Sequence, residues 1–180
     1  MFKIFAISAV ICVPSFAAAN SPNAPDGSGA GEIETAAMCA MGRYSKLCLP
    51  RYASLKAERV HFRKGPGRDY PIAWTLTREN LPVRIIGEFG NWRRVELFDG
   101  ERGWIHRALL SGRRHAVSRE GLIALYSRRD AEAPPLAAVP EAAPMSILSC
   151  EIDWCELAIG GYRGWAPKRN LWGVGANEEI

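Results

Sequence analysis

Apolar and polar residues alternate along much of the chain between residues 55 and 110. Val60 and Phe62 alternate with His61 and Arg63, which is the pattern of a strand with one buried face. Asp99-Gly100 has the composition of a two-residue hairpin turn. The pattern predicts a single tight turn over 107–110 and five short antiparallel strands, at 60–63, 72–77, 81–86, 92–98 and 103–106. So many short strands in this length favour a small barrel, because closing a sheet removes its exposed edges.

The same pattern occurs a second time, 62 positions further along the chain. A strand led by Trp92, a glycine turn and an Arg-Gly-Trp sequence are repeated in the run that begins at Trp154. Pro82 and Pro144, which open the preceding strands, show the same displacement, as internal duplication predicts. The second set of strands is predicted at 122–126, 136–139, 145–148, 153–159 and 162–166, with 111–120 as a basic linker between the two sets.

The N-terminus has the features of an export signal. Lys3 precedes an apolar run at 4–13 that is too short to span a bilayer, and Ala17-Ala18-Ala19 is a suitable cleavage site. The alternative is a buried N-terminal helix. Residues 21–31 lack periodicity and predict a flexible tether, followed by one or two helical turns over 33–41. We expect no transmembrane segment in the mature chain.

Several of these residues resemble the bacterial SH3 (SH3b) domain pattern, whose signature is a Val-Asn-x-Arg-x-Gly-Pro opening and a late Gly-Trp-Val. The residues that carry the resemblance are Val60-His-Phe-Arg-Lys-Gly-Pro-Gly67, Trp92-Arg-Arg-Val95, Gly103-Trp104-Ile105 and Leu110. His61 replaces the usual Asn. From 122 to 171 the resemblance is thinner, because Arg163-Gly164-Trp165 matches but the Gly-Pro opening is missing.

The resemblance implies an all-β fold of two tandem five-stranded SH3-like barrels. It also implies a binding role, often at the cell wall, and no catalytic residues. The predicted organisation is a signal peptide at 1–19, a flexible tether with a short helix at 20–50, a first barrel at 51–111, a second, degenerate barrel at 112–172 and a tail at 173–180.

Cysteine usage fits an oxidising compartment, where exported cysteines tend to pair. Cleavage of the leader leaves four cysteines, which allow three pairings. Cys150 ends one predicted strand and Cys155 begins the next, so a disulfide across that hairpin is plausible and Cys39 with Cys48 is then the second pair. The alternative is a redox or metal site, but the chain has neither a Cys-x-x-Cys pair nor a histidine cluster, so no metal is expected.

Aromatic residues provide the candidate ligand site. Val95 and Leu97 share one face, and Trp92 lies an odd number of positions from both, so a regular strand would point Trp92 outward. The hypothesis is a groove in the first barrel lined by Tyr70 and Trp92, because aromatic side chains give large contact areas at little entropic cost. The alternative is that tryptophans plug the barrel ends. The candidate ligand-binding residues are Tyr70, Trp92, Trp104 and Arg63.

The formal net charge of +4, or +3 without the leader, is too small to indicate nucleic acid as a partner. Basic residues are nevertheless dense around two of the first-barrel strands, and we expect most of them on solvated outer faces. The alternative is docking of an anionic wall polymer or lipid headgroups. These residues are Arg59, Arg63, Lys64, Arg68, Arg93 and Arg94.

The sequence lacks the usual catalytic signatures. Gly65-Pro66-Gly67 is not followed by Lys-Ser/Thr and therefore predicts a turn, and no Gly-x-Ser-x-Gly motif occurs. The prediction is a periplasmic or secreted, non-enzymatic protein without cofactors that binds peptide or peptidoglycan in the cell envelope. The alternative is a structural or assembly protein of the envelope whose barrels make only protein–protein contacts.

Overall fold

The computed structural model describes residues 39–180, which contain short antiparallel strands and two single 3-10 turns. The predicted signal peptide and most of the tether lie outside the described residues. The strands form one small hairpin and two seven-stranded sheets. We call the sheet at 51–111 with its core the first domain, and the sheet at 115–172 with its core the second domain.

The hairpin comes first in the described chain. Its strands are β1 (Ala40–Met41) and β2 (Cys48–Leu49), which pair antiparallel and are closed by the Cys39–Cys48 disulfide. Helical turns were predicted over 33–41, and for the two positions Ala40 and Met41 that prediction is wrong. The hairpin precedes the first domain, in a stretch that the sequence had assigned to the tether.

The first domain has the sheet order β5-β4-β8-β7-β6-β3-β9, with antiparallel neighbours. A 3-10 turn at Arg107–Leu109 lies between its last two strands, where the tight turn was predicted. The strands are β3 (Arg51–Leu55), β4 (Val60–Arg63), β5 (Ile72–Leu76), β6 (Pro82–Phe89), β7 (Trp92–Glu96), β8 (Arg102–His106) and β9 (Leu110–Ser111).

The second domain repeats this order as β12-β11-β15-β14-β13-β10-β16. Its 3-10 turn, Lys168–Asn170, again precedes the last short strand. The strands are β10 (His115–Ser118), β11 (Ile123–Tyr126), β12 (Pro135–Val139), β13 (Met145–Cys150), β14 (Trp154–Ile159), β15 (Tyr162–Pro167) and β16 (Leu171–Trp172).

Strand register shows which positions of the two domains correspond. Arg63 lies opposite Trp104 in the first domain, and Tyr126 lies opposite Trp165 in the second. The glycine before each of these tryptophans explains why the Gly-Trp pair is repeated: a Cβ on Gly103 would lie 2.5 Å from the Phe62 ring. A Cβ on Gly164 would likewise lie 2.9 Å from a backbone carbonyl oxygen. The prediction of two tandem all-β units of the same strand order is therefore confirmed.

Each domain has its own apolar core, formed by the inward positions of the alternating strands. In the first domain Val95 and Leu97 are both buried, as their shared face predicted. The largest buried side chains of the first core are Leu55, Val60, Phe62, Val83 and Ile105, and those of the second core are Leu125, Met145, Leu157 and Leu171.

Each sheet contains two strands beyond the five predicted. The prediction of a linker at 111–120 is wrong, because β10 lies inside this range and all four of its residues are buried. Polar residues concealed the strand. The buried ring of His115 has a polar partner, because its Nδ1 lies 2.9 Å from the Ser54 Oγ of β3, which in turn donates to the Arg113 carbonyl at 2.8 Å. Nδ1 must therefore carry the proton.

The two domains pack against each other through these additional strands. Val117 of β10 joins the core of the first domain. The Tyr52 and Trp172 rings meet edge to face with centroids 5.5 Å apart, and the Arg84 guanidinium lies 5.4 Å from the Trp172 ring centroid. These contacts leave no free linker between the sheets.

The second predicted disulfide, Cys150–Cys155, joins β13 and β14 at directly opposite positions. Both predicted pairings are present in the structure. The segment 173–180 returns to this hairpin, where Cys150 and Ile180 exchange two backbone hydrogen bonds of 3.0 and 3.1 Å. Glu178 pairs with Arg114, so the C-terminal segment is packed on the second domain.

Candidate functional site

The loop after β4 is built around Arg63. Its guanidinium donates to the carbonyl oxygens of Arg68 at 2.9 Å and Tyr70 at 2.7 Å. The Tyr70 ring covers the Gly-Pro-Gly turn so closely that a Cβ on Gly65 would lie 2.1 Å from it. The Arg-x-Gly-Pro residues, which match the bacterial SH3 pattern, therefore shape this loop. Arg63 closes it with two hydrogen bonds, and Gly65 leaves room for the Tyr70 ring.

Beside this loop lies a groove of about 460 Å³. Its aromatic element is a cross-strand pair: Trp92 of β7 lies opposite His106 of β8, with ring centroids 5.4 Å apart and the rings nearly perpendicular. His106 Nδ1 accepts a hydrogen bond from the Ala108 amide at the start of the 3-10 turn, which orients the imidazole. We call this the first-domain groove; its lining residues are Arg59, His61, Arg63, Arg68, Trp92, His106, Ala108 and Leu109.

The first-domain groove is cationic. Three of its lining residues are arginines and two are histidines, and none is acidic. Within residues 39–180, Arg59, Arg63 and Arg68 form no ion pair with a carboxylate. Guanidinium groups whose charge no internal carboxylate neutralises, placed beside an aromatic ring, are suited to bind carboxylate or phosphate groups that carry an apolar or planar portion.

The structure separates the four candidate ligand residues. Arg63 and Trp92 line the groove together. Tyr70 and Trp104 are not among its lining residues: Tyr70 covers the neighbouring loop with about half of its surface exposed, and Trp104 is half-buried on β8. Trp92 is half-buried, which is intermediate between the two alternatives from the sequence, an outward-facing ligand residue and a tryptophan that fills the end of the barrel.

Arg93 is a correction to the expectation of solvated arginines. Only 6% of Arg93 is exposed, and its guanidinium donates to the Gly90 and Trp92 carbonyls and lies 3.4 Å from a Glu88 oxygen. Burial lowers the pKa of Arg93, and Glu88 opposes that change. The alternation of β7 places Arg93 on the same inner face as Val95, and only its charge had argued for solvent. The hairpin at 40–49 covers this end of that face, since the Tyr44 and Ser45 amides bond to Glu88.

Sequence reasoning missed the histidines of the groove. It predicted a two-residue turn at Asp99-Gly100, which would place Trp92 opposite Arg107. The observed connection is one residue longer, because Leu97 bonds to Glu101 across it, and Trp92 therefore faces His106. A one-residue register difference was enough to hide the aromatic pair.

The second domain has changed the same surface. Register places Pro167 opposite Trp154, where His106 faces Trp92 in the first domain, and Tyr126 stands in the position of Arg63. A groove of about 500 Å³ lies there, and it includes the acidic Glu120. The second-domain groove therefore lacks the counterparts of Arg63 and His106, although Arg119 and Arg169 line it.

The family can be assigned from the whole pattern. The sequence model described as "Bacterial SH3 domain" matches residues 56–112 and 120–173, more than half of the chain. The chain belongs to the bacterial SH3 domain family. The tandem SH3 domains match the two sheets in turn, and SH3 domains of this family are non-catalytic binding modules.

Among curated proteins, no match to this SH3 protein is found. The solved structures that are similar to it include the following three. NlpC2 from Trichomonas vaginalis is 18% identical over 68% of this chain and 48% of its own, with a TM-score of 0.32. NlpC1 from the same organism is 18% identical over 73% and 48%, with a TM-score of 0.32. An NlpC/P60 family protein from Bacillus cereus is 12% identical over 67% and 55%, with a TM-score of 0.32. The SH3 chain spans about half the length of these structures.

Neither a metal site nor a membrane span is found in the described part of the chain. Between residues 39 and 180 no three His, Cys, Asp or Glu side chains are grouped to hold a metal ion. In the same residues no helix is long and apolar enough to cross a bilayer.

Proposed function

We propose that this protein is an exported, non-enzymatic SH3 protein that binds an anionic cell-wall polymer or acidic peptide through its first-domain groove. The observation that carries the proposal is the groove itself, in which Arg59, Arg63 and Arg68 surround the Trp92–His106 pair with no acidic lining residue. Peptidoglycan stem peptides carry carboxylates, which match guanidinium groups in charge and geometry. The two disulfides support a periplasmic or secreted location.

The difference between the domains supports a single ligand site. Where the first domain has Arg63 and His106, the second has Tyr126 and Pro167. The first groove has three arginines and no acidic residue, whereas the second has Arg119 and Arg169 beside Glu120, so an anionic ligand is expected to bind through the first copy. The second domain then supports the first, because Val117 completes the first domain's core.

The alternative is an assembly protein of the envelope, and one observation favours it. Strand β5 is the edge of the first sheet, and it exposes 44% of Ile72 and 56% of Trp74. An edge strand with large apolar side chains can pair with a strand of another protein. On this alternative, β5 and not the groove would make the functional contact.

Co-sedimentation with purified peptidoglycan tests the proposal. We expect the protein to sediment with the polymer, less so as salt rises, because exposed charges are screened. Combined Arg59→Gln and Arg68→Gln changes are expected to weaken retention about tenfold, as removal of charged hydrogen-bond donors does. Both side chains are exposed, so the free energy of unfolding from a thermal melt should stay within about 0.5 kcal/mol of the wild-type value.

Arg169→Gln is the matched control, since Arg169 is exposed and lines the second-domain groove. It is expected to leave retention unchanged. Equal retention of the Arg59/Arg68 variant and wild type would contradict the proposal. Absence of retention on the polymer, together with capture of an envelope protein that Trp74→Ser abolishes, would establish the assembly alternative instead.

A further inference from the structure

A second cavity lies between the disulfide hairpin and the first domain. It has a volume of about 600 Å³, and we call it the hairpin cleft. Ser45 and Leu47 of the hairpin form one wall, and β3, β9 and the 3-10 turn form the other. Ser111 of β9 and the adjacent Gly112 are among its lining residues.

Positive charge is in excess at the hairpin cleft. Arg51, Arg93 and Arg107 line it, and the nearest carboxylate, Glu88, is shared by two of them: it lies 3.1 Å from Arg51 and 3.4 Å from Arg93. The charges of Arg51 and Arg107 repel that of Arg93 and both lower its pKa. One buried carboxylate cannot neutralise three guanidinium groups, and the cleft therefore favours an anion.

The rest of the lining is largely apolar. Its apolar residues are Leu47, Tyr52, Ile85 and Leu110. Leu47 is 53% exposed, so part of its apolar surface is open to the cleft. Apolar surface left exposed beside fixed positive charge is suited to a ligand that has both an apolar and an anionic part.

The geometry points to a second binding site, in which the hairpin cleft holds a small amphipathic anion: a carboxylate or phosphate joined to an apolar group. The anionic group lies against Arg51, Arg93 and Arg107, and the apolar group lies against Leu47, Tyr52 and Leu110. Cys39–Cys48 positions the hairpin wall of the site.

This site belongs to the first domain alone. The register that equates Trp92 with Trp154 places Cys155 at the position of Arg93, and Cys155 is bonded to Cys150. The cleft shares His106 and Ala108 with the first-domain groove, but its three arginines are different ones. Binding at the two sites can therefore be tested separately.

Calorimetry and amide chemical shifts of the whole mature protein test the inference with four probes. We expect octanoate and octyl phosphate to bind and to shift the amides of Ser45, Leu47, Ser111 and Gly112. Acetate has the charge without the apolar group, and octan-1-ol has the apolar group without the charge, so each should bind at least about tenfold more weakly. A comparison of octanoate with octyl phosphate shows which headgroup the arginines prefer.

Two single variants and one control make the result specific. Arg107→Gln and Leu47→Gln change exposed side chains on opposite walls, and each should weaken octanoate binding about tenfold. Arg94→Gln changes an exposed arginine of the same strand as Arg93 that does not line the cleft, and it should have no effect. Three results would each overturn the inference. Octan-1-ol could bind as tightly as octanoate, all three variants could bind octanoate equally well, or the amide shifts could be confined to the first-domain groove.

Discussion

Glu88 ties the disulfide hairpin to the first domain, and its replacement by glutamine gives the sharpest test of the packing described here. Its side chain is 1% exposed and accepts hydrogen bonds from the Tyr44 and Ser45 amides and from Arg51. Burial raises the pKa of Glu88, but the hydrogen bonds from Ser45, Arg51 and Tyr44 outweigh it and hold the pKa at about 2, against 4.5 for a free group.

The size of the effect follows from this pKa difference. At about 1.4 kcal/mol per unit, ionised Glu88 contributes about 3 kcal/mol to the free energy of unfolding at pH 7. Because the folded-state pKa is lowered, the contribution is complete above the unfolded pKa of 4.5 and is lost as pH falls toward 2. About half should remain at pH 3.

Urea unfolding of wild type and Glu88→Gln at pH 7, 4 and 3, followed by first-domain amide signals, measures this difference. Wild type should be more stable at pH 7, and the gap should narrow as pH falls. Other carboxylates titrate in both proteins and cancel in the comparison. Glu101→Gln is the control, because Glu101 is exposed and should show a small, constant difference within about 0.5 kcal/mol. A Glu88 gap that is the same at pH 7 and pH 3 would refute the reasoning.

Two further predictions concern close packing and the contact between the domains. Gly103→Ala should lower the free energy of unfolding by about 2 kcal/mol or more, because the new Cβ would lie 2.5 Å from the Phe62 ring. The control is Gly112→Ala, whose new Cβ would have no atom within 4 Å and which should be nearly neutral. Thermal melts of both variants measure the difference. Burial lowers the pKa of His115 below 6.5, so wild type should lose stability relative to His115→Gln as pH falls below 6.5. Urea unfolding midpoints of the two proteins at pH 7.5 and pH 5 measure this. A stability difference that is constant with pH would contradict a buried neutral histidine.

Local patterns in the sequence predicted much of the fold. Alternation predicted β4, β7 and β8, because a strand with one buried face repeats every two residues. The 62-residue displacement predicted the second domain, since duplicated strands keep their spacing. Cys150 and Cys155 flank a hairpin turn, so their pairing is a local event and the sequence indicated it correctly.

Contacts between distant residues decided the rest. Strand β10 begins and ends with a polar residue, and its burial depends on tertiary contacts: Ser54 with His115, Val117 in the core of the first domain and Ala116 in the core of the second. Arg93 shares the inward face of Val95, but a charged side chain was expected in solvent. Its ion-pair partner Glu88 is held by a hairpin that comes from about fifty residues earlier in the chain. The Trp92–His106 pair of the groove follows from a β7–β8 register that one additional turn residue sets, so the pair became visible only once the strands were paired. Alternation along a chain reports which face of a strand its own sheet buries, but it contains no information about which distant segment supplies the partner for a polar or charged group on that face.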